Sequence, residues 1–402
     1  MSGSRRILAA ALVLGAALRL AAVVAYRGAP LSAGGDDRQY HGLAESLAAG
    51  RGFELRGAPS AYRAPLYPLF LAAGMRLGLR ELPQLRLWQA AFSLFGIVLV
   101  FLLGAAIDSP DAGAWSALVL ALHPEQVLAV TSLYLESFYA VLVILLAWAL
   151  VRWRRAPGEG RAAFAGMALG LTLAARSVLL PLLPALILER ARRPGWRREA
   201  AAFALAAVLP VLPWAARNAL RFGRLIPFET GVAGPVIWYA AQGYTVAPAD
   251  EGAVEPMKTM FATMPHTEWD AYALGLASAE IAREPRSYVE GCVFRLRRLW
   301  TDAYLPYLIH ENPKWEGVAR PSPWANAARA DLFLRFALGA LAAVSLLLAP
   351  SAGLAATALV GASFSVYALG TVFARFLAPV TPLLCVLAGP ALARFTRPEP
   401  EL

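Results

Sequence analysis

The sequence is poor in several residue types, and each shortage removes a class of protein. Cysteine occurs only at Cys292 and Cys385. One lies in a polar stretch and the other inside an apolar run, so they build no disulfide framework. Lysine is confined to Lys258 and Lys314, which leaves the formal charge of +10 resting on arginine. Most of those arginines stand beside apolar runs, where the positive-inside rule and anionic lipid account for them, so the charge is no argument for a nucleic-acid partner. Charged residues are only 16% of the chain, and no repeat of fixed period or low-complexity tract, beyond a short Pro-Glu end, divides it.

What the chain has instead is apolar length. Of 402 residues 58% are hydrophobic, above the half that soluble domains average, and roughly 20 helical residues cross a bilayer core. The first run, 7–26, follows Arg5 and Arg6 without a small-residue cleavage site and reads as a retained anchor. Further runs at 88–107, 113–131 (kinked at Pro124), 133–151, 162–175 with 178–188, 200–216, 332–348, 354–369 and 376–392 predict an all-α polytopic bundle of about ten transmembrane helices. Arginine clusters at 152–161, 190–198 and 394–397 set the cytoplasmic side, and both termini with it. Three segments follow. Residues 1–218 form an N-terminal bundle with a first outer loop at 27–87, 219–330 form a small α-rich extracytoplasmic region, and 331–402 hold the C-terminal helices. Within the outer region 268–299 reads as helix broken at Pro285, and 66–79 is too short and too interrupted to cross. The first outer loop carries many arginines against the rule, which points to lipid headgroups or an anionic lipid-phosphate substrate.

That loop contains Gly34-Gly35-Asp36-Asp37-Arg38-Gln39-Tyr40-His41. Tyr40, Leu43, Ala44, Leu47 and Ala48 share one helical face, so 39–49 reads as an amphipathic helix stopped at Gly50, with Asp36 or Asp37 as its N-cap. A carboxylate at that position is either a cap alone or a catalytic base or metal ligand, and the residues leave open whether a divalent cation is bound. Glu136, near the outer end of the fourth span, lines a site or snorkels to the interface. His123 and Glu125 flank Pro124 at i and i+2, on different helical faces, which argues against a shared metal ion. His41 and Glu45 read as surface residues. Trp238, Tyr239, Tyr244, Trp300, Tyr304, Tyr307, Trp315 and Trp324 read as an interfacial belt and local core, with sugar stacking as the alternative.

Five motifs recur in a known order: the Gly-Asp-Asp-x-x-Tyr stretch with Gly50-Arg51-Gly52-Phe53, Tyr62-Arg63-Ala64-Pro65-Leu66-Tyr67-Pro68, Ala175-Arg176-Ser177, Arg217-Asn218 with the following residues to Pro227, and Ala374-Arg375-Phe376-Leu377-Ala378-Pro379. Together they resemble the bacterial members of glycosyltransferase family 39, the dolichyl-phosphate-mannose–protein mannosyltransferase-like branch of the GT-C superfamily. The first-loop pair is usually Asp-Glu there and is Asp36-Asp37 here. The resemblance implies transfer of a sugar from a polyprenyl-phosphate donor to a lipid, glycan or protein acceptor on the outer face of the cytoplasmic membrane. It makes Asp36 and Asp37 the catalytic candidates, Asp36 as base. The leaving phosphate needs cations rather than a strong acid, and Arg63, Arg176 and Arg375, each at the end of a span or interfacial helix, fit it. Tyr40, Tyr62, Tyr67 and Glu136 are expected to line the substrate. A flippase would show repeated halves and a midplane polar site, neither of which is visible, and a non-catalytic assembly subunit would not need Asp36 together with outer-facing arginines.

Overall fold

A computed structural model describes residues 3–32, 35–191, 195–245, 254–301, 322–348 and 354–396. In chain order these form α1 (Gly3–Ala25), α2 (Asp36–Ala48), a hairpin of β1 (Glu54–Leu55) and β2 (Ala58–Pro59), α3 (Leu66–Arg76), α4 (Leu82–Ile107), α5 (Pro110–Leu122), α6 (Pro124–Leu128) and α7 (Glu136–Arg155). Then come α8 (Glu159–Ala175), α9 (Leu182–Arg190), α10 (Trp196–Val208), α11 (Leu212–Phe222), α12 (Ala233–Ala241), α13 (Met257–Thr263), α14 (His266–Arg283), α15 (Pro285–Thr301), α16 (Ser322–Leu348), α17 (Leu354–Leu369) and α18 (Thr381–Phe395). Gly34, Tyr304, Tyr307 and Trp315 lie outside the described residues, as does the side chain of Trp324.

Among the described residues four helices are long and apolar enough to span a membrane: α1, α4, α7 and the Ala330–Leu347 part of α16. The pair α10 and α11, bent by 50°, makes a fifth if it is one broken span. The chain is a multi-pass membrane protein. The count of about ten read from apolar runs also included segments that fold as shorter helices, such as 110–122, 356–369 and 381–395. Proline does much of the cutting. Pro124 ends α5 outright: His123 is extended (φ −64°, ψ 119°) and α6 starts anew, so 113–131 is not one kinked helix.

α7 is the centre of the bundle, with 83% of its apolar window buried against 28% for α1. α4 and α5 meet through their backbones. A Cβ on Gly113 would stand 2.3 Å from the Phe101 carbonyl oxygen, so only glycine permits this approach. Phe138 of α7 packs on Phe70 of α3 (4.8 Å between ring centroids) and Phe92 of α4 (5.0 Å), which seats the first loop on the bundle.

The first loop differs from its expected form at one end. α2 begins at Asp36, three residues early, and Gly35 is its N-cap with no side-chain cap bond. Neither aspartate is therefore the N-cap; both occupy the first turn, where a negative charge still favours the helix dipole. Glu136 is the first residue of α7. The hairpin is held from elsewhere in the chain. Arg217 on α11 donates to the carbonyls of Ser60 (2.8 Å) and Phe53 (3.0 Å), Thr230 N donates to Ala61 O (3.0 Å), and Ala61 N donates to His266 Nε2 (3.0 Å). Asp270 on α14 accepts from the backbone of Gly231 (2.6 Å) and Gly234 (2.7 Å), so the segment after α11 lies between the first loop and α14.

Candidate active site

Five charged side chains from four distant segments form one connected chain. Arg63, in the turn before α3, donates through Nε to Gln39 Oε1 (2.9 Å) and through Nη2 to Asp36 Oδ1. The other Asp36 oxygen accepts from Arg375 Nη2 at 2.7 Å. Arg375 stands in a 3₁₀ turn, Ala374–Leu377, and its Nε lies 3.5 Å from Glu136 Oε1. Arg176 Nη1 approaches the same Glu136 oxygen at 3.7 Å. Among the described residues three guanidiniums stand against two carboxylates, a formal excess of one positive charge. Arg176 Nη1 and Glu136 Oε2 make no hydrogen bond among the described residues although both are buried.

Local structure aims each arginine. Arg176 caps α8 in extended conformation (φ −165°, ψ 131°), which turns its side chain out of the helix. The next residue is pinned: Ser177 donates from N (3.0 Å) and Oγ (2.9 Å) to Glu229. Aromatic faces flank the cations, Phe376 beneath Arg176 (4.7 Å), Tyr134 beneath Arg375 (4.6 Å) and Tyr62 beneath Arg63 (4.7 Å). The Asp36 side chain is 24% exposed and Arg176 19%, whereas Glu136 is 4%. The chain is therefore open at Asp36 and Arg176 and closed at Glu136.

The adjacent aspartates have different surroundings. Asp37 is buried and accepts from Ser32 N (3.0 Å), Ser32 Oγ and Arg38 N (2.8 Å), away from the arginine chain. Gly35 makes room for that contact, since a Cβ there would lie 2.0 Å from Ser32 Oγ. Burial pushes the Asp36 carboxyl up, but the charges of Arg63, Arg375 and Arg176 outweigh it and hold the group at about 2. Burial raises the Tyr40 phenol to about 12, so it is a proton donor at neutral pH. Tyr40 and Tyr67 meet edge to face at 5.0 Å. Tyr67 is fully buried behind Tyr40 and donates to Gln89 Oε1 (2.5 Å), so it backs the site, while Tyr62 is only partly buried.

Sequence reasoning missed Gln39, Glu229, Arg217 and His266. Gln39 carried a usable signal, three residues after Asp36 on the same helical face; the others act across separations of 52 to 205 residues. The helix-face argument for His123 and Glu125 fails. Because Pro124 breaks the helix, the face argument does not apply, and the ligand atoms of His123, Glu125 and Asp331 lie within 4.8 Å of one another, all buried. These are metal-ligand types, but a cation is already there: Arg335 Nη2 lies 3.0 Å from Asp331 and 3.5 Å from Glu125. At Asp36 both oxygens are likewise engaged by guanidiniums.

No family model matches the sequence, and no curated protein does. Solved structures do. The oligosaccharyltransferase AglB from Archaeoglobus fulgidus, in complex with an inhibitory peptide and a dolichol-phosphate, matches over 99% of this chain and 52% of its own, at 15% identity and a TM-score of 0.56. An Archaeoglobus fulgidus oligosaccharyltransferase in the apo form matches over 96% of this chain and 50% of its own, at 15% identity and a TM-score of 0.54. This chain therefore shares the fold of that oligosaccharyltransferase over nearly its whole length. The chain spans about half the length of AglB. ArnT from Cupriavidus metallidurans, bound to undecaprenyl phosphate, aligns over 96% of this chain and 77% of its own at 16% identity; its TM-score of 0.46 adds no weight. At such identities the likeness concerns architecture, and the reaction must be argued from the site.

Proposed function

We propose that this GT-C protein is a membrane glycosyltransferase that moves a sugar from a polyprenyl-phosphate carrier to an acceptor hydroxyl. It works on the outer face of the cytoplasmic membrane, in a bundle of about ten spans whose first loop and 219–330 region share that face. The observation that carries the reading is the convergence of Arg63, Arg176 and Arg375 on Asp36 and Glu136, with one positive charge in excess and the Asp36–Arg176 side open. A buried surplus of guanidinium requires an anion. The phosphodiester of a lipid-linked sugar supplies one, and so does the polyprenyl phosphate monoester that leaves; planar guanidiniums grip either through paired hydrogen bonds.

The chemistry is a single displacement. The acceptor oxygen bonds to the anomeric carbon, the bond from that carbon to the phosphate oxygen breaks, and its electron pair leaves with the polyprenyl phosphate. The arginines take up the added negative charge. The acceptor proton goes to the Asp36 carboxylate, and one in-line displacement inverts the anomeric centre. With Arg63 and Arg375 on its oxygens Asp36 is a weak base. A phosphate drawing those guanidiniums away raises its proton affinity, so donor binding would switch the base on.

The test uses purified protein in lipid nanodiscs, with radiolabelled polyprenyl-phosphate sugars and envelope lipids and glycans as acceptors. Asp36→Asn keeps the shape of the residue but removes the proton acceptor, and transfer should fall about 10²- to 10⁴-fold with unchanged thermal unfolding. Transfer by Asp36→Asn at the wild-type rate would remove the base assignment.

A further inference from the structure

Beside the arginine chain lies a cavity of about 490 Å³ between the β-hairpin and α13–α14, lined by Gln39, Arg56, Tyr62, Phe261, His266 and Trp269 among others. It adjoins the reacting region directly. Gln39 accepts from Arg63, the guanidinium of Arg63 rests on the ring of Tyr62, and Arg63 also holds Asp36. Its size lies within the range of small-molecule sites. Tyr62, Phe261 and Trp269 form one aromatic group, with Trp269 at 5.8 Å from Tyr62 and 4.7 Å from Phe261. The three side chains are only partly buried. Among the described residues no carboxylate lines the cavity.

Arg56 gives the cavity its chemistry. The register Glu54 opposite Pro59 and Leu55 opposite Ala58 leaves Arg56-Gly57 as a two-residue turn, with φ 55° and 79°. Two left-handed residues make the turn that Asn-Gly fills best. Arg56 is the one non-glycine residue with positive φ among the described residues. Among the described residues it makes no ion pair with Asp or Glu, and it lines the cavity. A side chain kept in a disfavoured conformation, where asparagine would be easier, suggests a demand from function.

Resting on the transferase reading above, we propose that this cavity is the acceptor subsite and takes a saccharide bearing an anionic group, its ring against Tyr62 and Trp269 and its anion at Arg56. Arg56 is then a specificity residue that never touches the donor.

Two measurements test this. Arg56→Asn should leave thermal unfolding unchanged or raise it, because it relieves the turn, and should leave polyprenyl-phosphate binding unchanged. The KM for an anionic glycan acceptor should rise at least about tenfold, with kcat little altered. The second readout needs no turnover: saturation-transfer NMR on the nanodisc-embedded protein with a disaccharide ending in glucuronic acid and its neutral counterpart. The acidic sugar should bind wild type and Asp36→Asn alike, and lose binding in Arg56→Asn and in Trp269→Leu. Equal binding of the acidic sugar to wild type and Arg56→Asn, or preference for the neutral sugar, would overturn the subsite. Loss of the Asp36→Asn effect on transfer with sugar binding intact would count against the transferase reading instead.

Discussion

Two clusters of buried charge in this protein use the same residue types and differ in composition and access. The chain of Arg63, Asp36, Arg375, Glu136 and Arg176 carries a formal excess of one positive charge and reaches the surface at Asp36 and Arg176. The cluster of Glu125, Asp331 and Arg335 sets two carboxyl groups against one guanidinium, with all three side chains at 0 or 1% exposure. Thr381 on α18 donates to Glu125 at 3.3 Å and neighbouring Gln126 donates to Ala378 O at 2.7 Å, so the sealed cluster ties α6 to α16 and to the turn before α18. An acid-rich, sealed cluster can hold helices together but has no use for an anion. An arginine-rich, open one is suited to receive an anion. Burial of charge alone therefore does not mark a site; surplus and access do.

Removing the cation from each cluster should separate them. In the sealed cluster Arg335→Gln strands two carboxylates in the bundle and should cost about 3–5 kcal/mol, read as a large drop in thermal stability. A stable Arg335→Gln protein would show that this cluster does not fasten the helices.

A smaller effect concerns pH. The Asp36 carboxyl lies below its ordinary value of 3.8, at about 2. Its stabilising contribution is complete above about 4 and lost as pH falls toward 2. The donor-free enzyme should then show no acid limb from Asp36 in kcat/KM above roughly pH 4. Arg63→Gln removes the largest of the charges that lower this carboxyl, so the group rises and the acid limb moves to higher pH. A pH–rate profile of Arg63→Gln superimposable on wild type would uncouple Arg63 from Asp36.

Much of the site's membership could be read from residue type and position. Asp36, Arg63, Arg176, Arg375 and Glu136 stand out in sequence because a charge at the end of an apolar run is costly without a partner. Their mutual arrangement could not be read. Arg375 reaches Asp36 across 339 positions, and no local pattern encodes that. The fold was legible as a helical membrane bundle from apolar length, whereas helix ends were not: proline turned an apparent span into α5 and α6, and the first turn of α2 absorbed both aspartates. The second cluster stayed hidden because Asp331 and Arg335 are an unremarkable i, i+4 pair until Glu125 is packed against them.

The central claim is that the open arginine cluster holds the phosphate of a lipid-linked donor. Binding of radiolabelled undecaprenyl phosphate to wild type, Arg375→Lys and Arg335→Lys in nanodiscs, with undecaprenol as the uncharged control, tests it most directly. Wild type should bind the phosphate and not the alcohol. Arg375→Lys keeps the charge but loses the planar fork, and should bind about tenfold more weakly. Arg335→Lys should bind like wild type wherever it folds. Equal binding of phosphate and alcohol, or full affinity in Arg375→Lys, would contradict the account.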